Sequence, residues 1–250
     1  MPTPAAVAAC DWTDTEVSVS LERGAHGRVS VHGRLCASPV WARWDGTTLW
    51  LVGSGASPVG TDEVRVRVEL GPGVTAAVRS VAATVVYAAR GEGTRWDTEV
   101  HVAEGASLDW RPEPVILTAR ARHRSTTTVH AAAGAKVLLD EVLVLGREGE
   151  RPSAARATLD VRVDGAQALL TSIDTSLPGW SGPAGVLDAR VVAHRLRLRP
   201  PGEAGQAPIG LGGLDPGAVR LDPAPGCHLG VATGPALAHT HAALDAVLPA

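Results

Sequence analysis

Along most of the chain, apolar and polar residues alternate with a period of two. Residues 17–21, 29–32, 64–70, 159–163 and 194–199 each place an apolar side chain at every second position, as in Val64, Val66, Val68 and Leu70. Such alternation predicts strands with one buried and one wet face. Several of these strands align on the glycines that follow them, Gly73, Gly105, Gly134 and Gly165, spaced 32, 29 and 31 residues apart. After each glycine comes a small residue and a second apolar segment, at 74–78, 106–110, 135–139 and 166–170. The unit reads strand, glycine turn, strand, return. A repeat of this length predicts stacked units that cover one another's apolar faces.

The expected architecture is therefore mainly β, a stacked β-strand body that is β-helix-like or two-sheeted, forming one domain over residues 1–250. Two stretches depart from it. Residues 200–226 hold six prolines and many glycines, which predicts an irregular connection. Residues 235–248 place Leu237, Leu244, Val247 and Leu248 at helical spacing between Pro235 and Pro249, which predicts a short C-terminal helix packed on the chain's own sheet or on another chain.

Composition narrows the function classes. With 45% hydrophobic residues in 250, the chain can bury a sizeable core. Lys136 is the only lysine among 23 basic residues, so arginine is simply the default cation here. Acids number 26, the formal net charge is −3, and no basic run occurs, which excludes the electrostatic footprint of a nucleic-acid binder. Cys10, Cys36 and Cys227 are odd in number and lack metal-binding spacing, which argues against a disulfide framework or a structural zinc site and for a reducing cytoplasm. Residues 1–10 lack the charged and apolar segments of a signal peptide, and no run approaches the roughly 18 apolar residues of a membrane span, so no membrane partner is expected.

The usual catalytic and phosphate-binding signatures are missing from the sequence, and the glycine-rich stretch 53–57 reads as a turn, since no helix pattern follows it. His239 and His241 sit two apart on the expected helix and point about 200° apart, so they cannot share an ion. Cys227 and His228 could take a transition metal if a third ligand joined them, but read first as packing or surface residues. The acids say more. Asp62, Asp109, Glu113, Asp140, Glu141 and Asp174 lie at or near the ends of apolar segments, where a carboxylate is costly unless it is hydrated, paired, metal-bound or capping a turn.

Several segments taken together resemble the UreD (UreH) family of urease accessory proteins. Residues 51–62 match a glycine-rich stretch that ends in an aspartate, here Asp62, and residues 73–80 and 85–87 follow in order. Residues 105–116 resemble the family's Pro-Glu-Pro segment, here Pro112, Glu113 and Pro114. Residues 134–141 and 145–150 resemble its Gly-Arg-x-x-Gly-Glu segment, here Gly146, Arg147, Gly149 and Glu150. Thr61 stands where the family has a second glycine, Ser57 and Pro58 alter the loop before it, and the C-terminal third is shorter and matches poorly.

The resemblance implies a non-enzymatic chaperone that binds the urease apoprotein together with UreF and UreG and helps deliver nickel, a transient cargo, through an internal hydrophilic passage. A divalent ion in transit needs oxygen ligands that hold it weakly enough to release it, which suits spaced carboxylates better than a closed His/Cys cage. Asp62, Glu113, Asp140, Glu141 and Asp174 are the candidate lining residues, the first and second from motif matches and the others from position and chemistry. Arg147 reads as a structural guanidinium tied to a carboxylate such as Glu150, or as a partner contact. Trp41, Trp44 and Trp50 read as core residues or interface anchors. The alternative is a metal-dependent hydrolase or cupin-like enzyme on a β scaffold, which requires three ligands converging on one open site.

Overall fold

The computed structural model of the chain describes residues 16–55, 57–88, 91–150, 153–180, 182, 189–200, 202 and 217–250. The alternating segments become strands of two sheets. The first sheet holds β1 (Glu16–Arg23), β2 (Val29–Arg34), β5 (Glu63–Leu70), β8 (Thr94–Val102), β11 (Arg122–Ala131), β13 (Ala154–Val163) and β14 (Ala166–Asp174), in the order β14-β13-β11-β8-β5-β1-β2. The second runs β16 (Ala218–Ala224), β17 (Cys227–Gly234), β15 (Val191–Leu198), β12 (Lys136–Val144), β9 (Ser107–Trp110), β6 (Thr75–Ser80), β4 (Thr48–Gly53) and β3 (Val40–Trp44). Two short strands, β7 (Thr84–Val86) and β10 (Val115–Leu117), join the second sheet beside β12.

The repeat has a direct structural counterpart. β5, β8, β11 and β13 are parallel neighbours in one sheet, and β6, β9 and β12 are parallel neighbours in the other. Each coil crosses from the first sheet to the second at its glycine. Gly73 and Gly105 both adopt positive φ, +66° and +68°, and a Cβ on Gly105 would meet the Gly73 backbone at 4.0 Å, so the corners stack one on another. Backbone rungs continue across them: the Ser107 amide donates to the Val74 carbonyl at 2.8 Å, and the Lys136 amide to the Ala106 carbonyl at 2.9 Å.

The fourth unit departs from the repeat. Asp164 and Gly165 both take positive φ, +47° and +80°, the turn that folds a strand straight back on itself. β14 therefore pairs antiparallel with β13 in the same sheet instead of crossing to the other.

The inward positions of both sheets form one continuous apolar core that includes Leu21, Val68, Val100, Leu108, Val129 and Leu139. A smaller cluster around Val86, Leu117, Leu145 and Val192 fills the far end. α1 (Leu237–Val247) lies against β15, β16 and β17, burying Ala243, Leu244 and Val247 on Val191 and Ala193. The predicted helix thus covers its own sheet, with Pro235 just outside the N-terminal cap residue Ala236.

Three expectations need correction. β16 lies inside the stretch expected to be an irregular connection. Its alternation at Val219 and Leu221 suffices for an edge strand, which tolerates Pro223 where the register shifts. β15 was expected to have one wet face, yet Arg195 is only 4% exposed because α1 covers that face of the second sheet, while His194, also 4% exposed, points the other way into the space between the sheets. Cys36 is disulfide-bonded, where the odd cysteine count had argued against a disulfide framework. Among the described residues no helix is long and apolar enough to cross a membrane.

Candidate functional site

The returns that carry β7 and β10 wall a cavity of about 360 Å³ between the sheets. It arises from a change of composition along otherwise regular strands. On β11 the inward positions run Ala131, Val129, then Thr127, Ser125 and His123; on β8 they run Val102, Val100, then Thr98 and Trp96. The facing strands do the same: β12 passes from Leu139 to Glu141, and β15 from Leu196 to His194. Alternation keeps these side chains pointing inward, so replacing Val and Leu by Thr, His and Glu sets a few polar groups into a chamber whose walls are mainly apolar. Its walls remain apolar elsewhere, with Val40, Leu51, Leu143 and Ile173 among them.

Glu141 is the chamber's acid. Its Oε1 accepts a 2.5 Å hydrogen bond from the Thr127 hydroxyl, while Oε2 is shut off from solvent and has no hydrogen-bond partner. Burial raises its pKa to about 7, the Thr127 bond opposing the shift. His194 is its cross-strand partner, and burial pushes that imidazole down to about 4. His123, whose Nδ1 lies 2.8 Å from the Thr94 hydroxyl, is lowered to about 4 by the same cause. Near neutral pH the chamber thus offers neutral imidazoles, hydroxyls and a carboxyl poised between its two forms. Among the described residues, Glu141, His123 and His194 belong to no set of three or more converging donors. This arrangement suits successive weak ligation better than a cage.

The candidate acids are placed as follows. Glu113 is exposed at the rim, its amide 2.9 Å from the Ser80 hydroxyl and beside the exposed Val81 and Tyr87. Asp140 contributes to the cavity wall, but both carboxylate oxygens are held at 2.7 Å by the Arg195 guanidinium. Asp62 stands one contact away: its Oδ2 accepts from the hydroxyl of Ser57, a rim residue, at 2.6 Å and from the Val59 amide at 3.0 Å. Asp174 is the outlier. Ile173 faces the cavity, whereas Asp174, next to it on β14, accepts from the Ser176 amide at 2.9 Å, and its pKa is lowered chiefly by the Ser176 hydroxyl.

Arg147 binds Glu150 through Nε at 2.9 Å and holds its pKa down to about 2, with the Arg147 and Ala119 amides, which Glu150 also accepts from, adding to the shift. Arg190 donates to the Gly146, Arg147 and Glu150 carbonyls, pinning the same loop. Cys227 is buried in the core with its thiol pushed up to about 11 by burial, while His228 on the opposite strand face bonds Asp222 at 2.6 Å, so the two do not share a ligand position. Trp41 is exposed at the edge strand β3, and the Trp50 indole donates to Asp45 at 2.8 Å.

Sequence reasoning singled out Glu141 but missed His123, His194, Thr98 and Thr127. Their signal is the loss of Val and Leu at inward positions of strands whose other inward positions are wholly apolar.

Stacked parallel coils around a chamber that holds buried polar groups define a β-solenoid-like body. Comparison with known proteins gives it a family. Residues 36–216 match the model of the UreD urease accessory protein family. A relative from Streptomyces griseus named urease accessory protein UreD 1 is 33% identical over 80% of this chain and 81% of its own length. Relatives named urease accessory protein UreD from Streptomyces coelicolor and Frankia alni are 36% and 35% identical, over 60% and 61% of this chain and 61% and 58% of their own lengths. For these two the chain matches somewhat over half of the relative. The chain belongs to the UreD family of urease accessory proteins.

Proposed function

We propose that this chain is a non-enzymatic urease maturation factor that works in a complex with UreF, UreG and the urease apoprotein, and that its inter-sheet chamber passes nickel toward urease. The supporting observation is Glu141: a carboxyl held inside the chamber with one oxygen bonded to Thr127 and the other unpartnered. An unpaired buried acceptor is costly, and a passing cation satisfies it. A carboxyl with a pKa of about 7 can lose its proton when the ion arrives and regain it when the ion leaves.

Within the chamber His194 and His123 contribute neutral nitrogens, Thr127 orients the carboxyl, and Glu113 at the rim provides the first anionic contact. Asp140 serves a different end: it neutralises Arg195 and so fixes α1 on the sheet. Asp62 shapes the rim through Ser57, and Asp174 and Arg147 stabilise turns.

The test is co-expression with a urease operon from which the native UreD gene has been removed. The reading expects this chain to co-purify with UreF and urease apoprotein and to restore urease activity. A chain that neither binds them nor restores activity contradicts it.

A further inference from the structure

Outside the chamber, on the solvent face of the first sheet, the stacked repeat brings three metal-ligand side chains together. His101 and His130 stand four residues before their corner glycines, Gly105 and Gly134, and are Cα partners on the parallel strands β8 and β11. Their rings stack with centroids 4.6 Å apart and planes 17° apart. Glu99, two residues before His101 on the same face of β8, places Oε1 2.7 Å from His101 Nε2 and 3.9 Å from His130 Nε2. All three donor atoms lie within 4.8 Å of one another.

We propose that Glu99, His101 and His130 form a surface site for a divalent first-row transition-metal ion of the nickel, copper or zinc class. Metal bonds of about 2.0–2.2 Å put neighbouring donors of one shell roughly 3–3.5 Å apart, and the observed 2.7 and 3.9 Å lie on either side of that span. Closing the geometry takes rotation of the two imidazoles out of their stack until their in-plane nitrogen lone pairs converge, which side chains 41%, 35% and 36% exposed have room to make while the parallel ladder fixes their backbones. Imidazole with carboxylate is a donor set for borderline cations, not for magnesium or calcium.

The surroundings support the site. Arg67 takes the other oxygen of Glu99 at 3.4 Å, which orients the carboxylate and leaves Oε1 toward the histidines. The two nearby guanidiniums are themselves paired, Arg67 with Glu69 at 2.7 Å and Arg162 with Asp160 at 3.3 Å, so the site does not face an uncompensated cation. His101 and His130 also border a shallow groove edged by Glu22, Glu69 and Asp164, which leaves the remaining coordination positions open to water or to a ligand from another protein.

This site lies outside the chamber and does not depend on the transit reading. The experiment uses the full chain, freed of any tag and of metal, titrated by calorimetry with nickel(II) and separately with zinc(II). Cobalt(II) absorption serves as a second readout of coordination. The proposal expects H101A/H130A to lose one bound ion and the cobalt spectrum. E99Q should weaken that ion roughly tenfold or more, and E141Q should retain it. Thermal melts check that the exposed substitutions leave the fold intact. Wild-type isotherms and cobalt spectra preserved in H101A/H130A, or a wild-type chain with no ion that these substitutions remove, would overturn it.

Discussion

A carboxyl that burial holds near pH 7 makes folding stability depend on pH in a predictable direction. Below pH 4.5 Glu141 is protonated in both the folded and unfolded chain. Between 4.5 and about 7 the unfolded carboxyl loses its proton while the folded one keeps it, so stability falls as pH rises through this window and levels off above it. At about 1.4 kcal/mol per unit the penalty amounts to about 3 kcal/mol. His123 and His194 act oppositely: the unfolded rings take protons near 6.5 and the folded ones only near 4, so their contribution is lost as pH falls through that interval. Comparing E141Q with the parent at each pH cancels the histidines. The variant is expected to gain stability relative to the parent by up to about 3 kcal/mol between pH 5 and pH 8, read by urea unfolding at both. A constant difference would show that the Glu141 carboxyl is not held away from water.

At the scale of elements, one guanidinium adds a polar anchor to the apolar face by which α1 packs on its sheet. Arg195 on β15 bonds Asp140 on β12 through Nε and Nη2, and reaches Asp245 and the Leu248 carbonyl through Nη1. Removing it leaves Asp140 buried without a counter-charge, so Arg195→Ala is expected to cost about 3–5 kcal/mol. Hydrogen exchange of the α1 amides should accelerate in the same variant. Asp245 is 56% exposed, and its replacement by Ala should cost no more than about 1 kcal/mol, since exposed pairs contribute little. Equal losses for the two would contradict this division. The same element marks the limit of reading strands from pattern. Residues 64–70 show both period and face, because β5 has water on one side. The alternation of 194–199 looks the same, but its polar face is covered by a helix more than forty residues later, which no local pattern records. The glycine spacing likewise exposed three crossings, while the Asp164–Gly165 turn mimicked a fourth, because turn and corner use the same residue type.

In the whole molecule, the stacking of coils decides which groups meet. The chamber's acid was legible, since Glu141 is a carboxylate amid apolar residues, but its partners were not: Thr127 and His194 reach it from strands 14 and 53 residues away in either direction. Asp140 looked equivalent to Glu141 from its neighbours and differs because adjacent residues on a strand face opposite sides, one toward the chamber and one toward Arg195. The pairing of His101 with His130 was implicit in the 29-residue spacing, and needed only the register between repeats to become a site. If the chamber passes nickel as proposed, variants in it should separate binding of partners from loading of metal. Thr127→Val, which removes the hydroxyl that orients Glu141, is expected to leave co-purification with UreF and urease unchanged and to lower urease activity severalfold. Equal activity at equal complex yield would remove Thr127 from the path. The most direct measurement is the nickel content per active site of urease purified after co-expression with the E141Q chain. Transit through the chamber predicts a clear deficit relative to the parent chain at unchanged complex yield; full nickel occupancy with E141Q would contradict it.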